Sequence, residues 1–100
     1  STVRVDETVR MYTVHIAQAT REQRTLMLGA SPRAALALYK TAQARAAIDG
    51  RDFVTPDDVK TMAPVVLPHR IILSSSARLR GDSSEQVVGE ILASVPVPIE

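Results

Sequence analysis

The 100-residue chain contains no cysteine, which excludes a disulfide frame, a thiolate metal site and a cysteine nucleophile together. Imidazoles are nearly as scarce. Only His15 and His69 are present, far apart, with no HxxxH or HExxH spacing and no carboxylate cluster beside either, so no metal centre is expected. Long apolar runs are also missing: Val65 to Leu67 and Ile71 to Leu73 fall far short of the ~20 residues a membrane helix needs. No signal-peptide pattern opens the chain, and the lack of cysteine fits a reducing compartment, so a cytoplasmic setting is expected. Charge of one sign does not dominate either. The 12 basic and 11 acidic side chains are scattered along the sequence, which gives no electrostatic footprint for nucleic acid. No G-x-x-x-x-G-K-[ST] occurs and no acidic pair follows an apolar strand, so nothing here is expected to cradle phosphates or hold Mg²⁺. No complete catalytic set is expected.

What is present suits one small domain. Hydrophobic residues make up 45% of a length near the commonest for a single domain, enough for one core spanning residues 1–100. The chain opens with Ser1 and a helical pattern begins almost at once, so it is expected to be a piece of a longer protein.

Four helices are predicted. Val5, Val9, Tyr12, Ile16 and Ala19 recur at three- and four-residue spacing, giving an amphipathic helix from Asp6, its N-cap, to about Ala19. Ser31 caps and Pro32 begins an alanine-rich central helix that runs to Ile48 before Gly50, with Leu36, Leu38, Tyr39 and Ile48 supplying bulk. Thr55-Pro56-Asp57-Asp58 starts a third helix, stapled by Val54 and Val59, which should end or kink at Pro64. Ser83 and Gln86 have capping-box spacing, and Val87, Val88, Ile91, Leu92 and Val95 line a last helix stopping before Pro96. Between these, residues 52–54 and 69–73 are expected to pair as a minimal two-stranded ribbon. Ser74 to Asp82, with three serines and a glycine, reads as a polar loop and the most mobile segment. The fold class is therefore mainly all-α.

Three strings, in this order and spacing, carry a resemblance: Gly29-Ala30-Ser31-Pro32-Arg33-Ala34, Gly50-Arg51-Asp52-Phe53-Val54-Thr55-Pro56-Asp57-Asp58-Val59, and Val66-Leu67-Pro68-His69-Arg70. Together with Ala19-Thr20-Arg21 and Val95-Pro96-Val97-Pro98 they resemble the four-helix C-terminal lid of MoxR-family AAA+ ATPases. The resemblance implies that Arg33 is the sensor 2 arginine, which reaches toward the terminal phosphate of ATP. It also implies that ATP and Mg are held by a P-loop domain elsewhere in the parent protein and that none binds to this chain alone. The partners it implies are that P-loop domain, the neighbouring subunits of a homo-oligomeric ring, and a protein client remodelled in chaperone-like fashion. An independent physical reason supports the role of Arg33: a helix N-terminus favours anions, and a guanidinium adds fixed charge and forked donors.

Other motif residues have structural readings. Gly29 and Gly50 are expected to serve backbone conformations barred to side chains, and Asp58 to support its own helix end. A ribbon position is favoured for His69 and Arg70 over contact with a neighbouring subunit, and Arg21 and Arg24 form a small basic patch of little functional weight. Two rival readings belong to other classes. Ala34 to Met62 also resembles the second half of a histone fold, a DNA-binding or dimerising module, but the central helix has room for only about 18 residues and near-zero net charge offers few phosphate contacts. A helical adaptor that binds a partner through an exposed apolar face is the other.

Overall fold

The computed structural model describes residues 3–99. Ser1, Thr2 and Glu100, the ends of the predicted 1–100 unit, lie outside the described residues. The elements, in chain order, are α1 (Glu7–Glu22), β1 (Leu26–Leu28), α2 (Pro32–Ile48), α3 (Pro56–Val66), a 3₁₀ turn (Leu67–Arg70), β2 (Ile72–Leu73), α4 (Ser75–Arg80) and α5 (Ser84–Ser94). The mainly helical class holds, with a fifth, short helix added.

The starts of α2, α3 and α5 follow from local chemistry. Ser31 accepts from the Ala34 amide and Ser83 from the Gln86 amide, while Thr55 and Asp58 form a reciprocal capping box. Asp6 stands at the N-cap position of α1, yet its side chain makes no capping bond. That helix also runs one turn past Ala19, because Thr20 is drawn into the core behind Val9, Tyr12, Thr13, Ile16 and Ala17.

The core is one cluster. The buried stripe of α1 meets Ala34, Leu38, Ala42 and Ala46 of α2, and α2 packs most extensively on α3 through Val59 and Ala63. Small side chains on α2 allow this close approach on more than one side. Val87, Val88, Ile91 and Leu92 seat α5 against α1, α3 and the 3₁₀ turn.

Three expectations are corrected. The ribbon is real, but its partners are β1 and β2, antiparallel, with Leu26 opposite Leu73 and Leu28 opposite Ile72. Residues 52–54 instead spend their backbone groups on Arg4: the Arg4 amide donates to the Asp52 carbonyl at 2.8 Å and the Val54 amide to the Arg4 carbonyl at 2.9 Å. The Ser74 to Asp82 segment contains α4, capped by Ser74 on the Ala77 amide, anchored by buried Ala77 and ended by Gly81 at φ 87°. Pro64 does not end α3. Lys60, whose carbonyl loses its partner, and Pro64 lie on the exposed side where water can satisfy that group, while buried Ala63, Val66 and Leu67 hold the helix in place. The chain then tightens into the 3₁₀ turn.

Candidate functional site

Arg33 is the second residue of α2, one position after Pro32, at an exposed helix start. A cation there opposes the helix dipole, so the position costs a little helix stability unless something outside the helix uses the charge. The other long helices follow the electrostatic rule, with Glu7 in the first turn of α1, Asp57 and Asp58 in α3, and Glu85 in α5. The first turn of α2 has no acidic residue. Arg33 joins none of the ion pairs among the described residues. Arg4, Arg21, Arg24, Arg70 and Arg78 share that lack, so what distinguishes Arg33 is its seat at a helix start.

The segment that delivers the chain to this seat is tied to the end of α1. The Ala30 amide donates to the Thr20 hydroxyl at 2.8 Å, and the Arg21 guanidinium donates to the Ala30 carbonyl at 2.8 Å. Both backbone groups of Ala30 are thus held by two adjacent residues of α1. Gly29 lies against the Thr20–Arg21 peptide so closely that a Cβ would stand 2.7 Å from backbone atoms. Its φ is not positive, so close approach and not left-handed geometry requires glycine here; Gly50, at φ 77°, is the left-handed case. Sequence reasoning gave Arg21 little weight, and a side-chain bond across nine residues leaves no periodic signal.

The second motif string lies at the opposite end of α2. Asp58 is fully buried, and its carboxylate accepts from Arg45 at 2.6 Å, from Arg51 at 2.7 and 2.8 Å, and from the Thr55 amide at 2.8 Å. Burial pushes this carboxyl up, but the bonds from Arg51, Thr55 and Arg45 together outweigh it and hold the group far below the usual carboxylate range. Arg51 also lies over the Phe53 ring, 5.7 Å from its centre. Asp58 therefore ties α3 to the end of α2, a wider role than support of its own helix. Arg45 and Arg51 were not singled out by spacing, because partners 13 and 7 residues away meet only through the fold.

His69 and Arg70 are exposed in the 3₁₀ turn, just before the ribbon and not within it. His15 is exposed on α1. Among the described residues no three His, Asp or Glu side chains gather as a metal site, and no helix is long and apolar enough to cross a membrane.

Comparison with known proteins agrees with this architecture. The family described as the AAA lid domain matches residues 18–91, which include the first three motif strings and leave Val95 to Pro98 outside. The chain is 44% identical over 98 residues to the uncharacterized protein YeaC of Bacillus subtilis, covering 98% of this chain and 31% of that protein. It is 36% identical over 96 residues to the chaperone MoxR1 of Mycobacterium tuberculosis, covering 87% of this chain and 26% of that protein. A crystal structure from Cytophaga hutchinsonii, of a protein proposed to be an ATPase, superposes with a TM-score of 0.89 at 33% identity, over 98% of this chain and 32% of that one. The chain thus spans about a third or less of the length of the relatives it matches. With the family model matching residues 18–91 and the solved structure superposing over nearly the whole chain, the chain belongs to the AAA lid domain family and is the lid of a MoxR-like protein.

Proposed function

We propose that this lid works as part of an AAA+ ATPase, in which Arg33 is the sensor 2 arginine for ATP bound by a P-loop domain. The observation that carries the reading is the exposed guanidinium in the first turn of α2, which has no acidic neighbour in that turn and no ion pair among the described residues. Such a group fits a phosphate: it offers fixed charge and forked donors at the positive end of a helix dipole. Bound ATP supplies the phosphoryl group, and Arg33 stabilises the charge that spreads over it during transfer. Mg is left to the P-loop domain: the first turn of α2 carries no acidic residue, and among the described residues no three His, Asp or Glu side chains gather as a metal site.

Leu36, one turn along α2 from Arg33, is 53% exposed beside an apolar recess between α1 and α2 lined by Val14, Ala35 and Tyr39. Met27 and Leu28 on the ribbon are exposed as well. These surfaces suit a lid covered by the rest of its parent in a cytoplasmic homo-oligomeric ring, where movement of the lid remodels a protein client.

The test is Arg33→Ala in the full-length protein, with ATP turnover and the melting temperature measured together. Turnover falls by about 100-fold, in the range seen when one donor to a developing charge is removed, and the melting temperature stays within a few degrees. Unchanged turnover would remove Arg33 from the site. The isolated lid hydrolyses no ATP.

A further inference from the structure

We infer that Thr20 and Arg21 are positioning residues for Arg33, holding the α2 start at a fixed place relative to the end of α1. This rests on the reading of Arg33 as a phosphate-facing group. Thr20 is 1% exposed; its hydroxyl donates to the Ala17 carbonyl at 2.6 Å and accepts from the Ala30 amide at 2.8 Å, so neither the proton nor the lone pair is free to rotate away. Arg21 extends over the surface and closes the other side of the same residue through the Ala30 carbonyl. Gly29 removes the last obstacle to contact, letting the loop lie directly on the Thr20–Arg21 peptide.

From Ala30 little freedom remains before Arg33. Ser31 is held by its capping bond to the Ala34 amide, and the ring of Pro32 fixes its own φ. The route from α1 to the guanidinium backbone is therefore constrained residue by residue. Arg21 is spent on a neutral carbonyl and not on a carboxylate, so anchoring here adds no anion that would compete with a phosphate for Arg33. A catalytic cation displaced by about 1 Å can lose about 100-fold in rate, which is why such bracing matters to chemistry and not only to folding.

The experiment is a double-mutant cycle on ATP hydrolysis by the full-length protein. Thr20→Val keeps the shape of the side chain and deletes both hydrogen bonds. It lowers kcat about 10-fold, whereas Thr20→Ser, which retains the hydroxyl, returns kcat to within about 2-fold of the parent. Combined with Arg33→Ala, Thr20→Val causes no further fall, because the group it positions is gone. Arg21→Ala, at an exposed side chain whose loss leaves the core intact, runs the same cycle with a fall of about 3-fold. Losses that multiply in the Arg33→Ala background would overturn the positioning role, as would wild-type kcat for Thr20→Val and Arg21→Ala while Arg33→Ala is impaired. A fully active Arg33→Ala is a different result, and it rejects the reading of Arg33 itself.

Discussion

Arg51 grips Asp58 through two guanidinium nitrogens, 2.8 Å to one carboxylate oxygen and 2.7 Å to the other, while Arg45 reaches the second oxygen from the last turn of α2. Removing the carboxylate leaves Arg51 with Asp49 and Arg45 with Asp57, both exposed partners, and breaks the capping box of α3. Asp58→Ala is expected to destabilise the fold by about 3 kcal/mol, the lower end for breaking a buried pair, since both arginines keep contact with water. Urea unfolding of the lid measures this, and a loss under about 1 kcal/mol would show that the cluster matters little.

The same carboxylate sets an acid limit. Its folded pKa lies below its unfolded value near 3.8, so it contributes stability that is fully present above about pH 4 and is lost as pH falls through the folded value. The melting temperature is expected to hold level from pH 7 to 5 and to drop below pH 4. In Asp58→Asn the starting stability is lower and the drop shallower. Equal acid slopes in the two proteins would assign the transition to other carboxylates.

Three glycines separate three physical demands. Gly29→Ala drives a Cβ to 2.7 Å from backbone of α1, where no side chain can turn aside, and is expected to cost about 3 kcal/mol, the upper part of the usual range for overpacking. Gly50→Ala meets no atom within 4 Å but must hold φ near 77°, at a cost of about 1 kcal/mol. Gly89→Ala, inside α5 with open space around it, is expected to stabilise by about 0.5 to 1 kcal/mol. Thermal denaturation of the three variants tests the order, and a Gly29→Ala as stable as Gly89→Ala would contradict the contact.

The ends of helices were legible wherever their signal was local. Ser31-Pro32, Thr55-Pro56 and Ser83 each combine a capping hydroxyl with a helix-compatible successor, and all three begin helices as expected. Ser74 carried the same signal, but its helix lasts only six residues and rests on Ala77 alone, so no apolar stripe announced it. The ribbon failed differently. Two short apolar pieces identify a strand but not its partner: β1 packs on α1 and reaches β2, while residues 52–54 are already bonded to Arg4. At Pro64 a sound local rule lost to tertiary burial on the far side of the helix. In the candidate site, Arg33 was visible because its motif is contiguous, whereas its bracing by Thr20 and Arg21 spans about ten residues through side chains and belongs to the folded state alone.

The two motif ends of α2 have a mechanical consequence. Seventeen residues of continuous helix place the Arg33 tip about 25 Å from the turn that meets the Asp58 cluster, as a strut with no glycine or internal proline to absorb bending. Rotating the whole lid by about 10° around the Asp58 end carries the Arg33 end through about 4 Å. A modest rocking of the whole lid therefore displaces the Arg33 end by more than the length of a hydrogen bond.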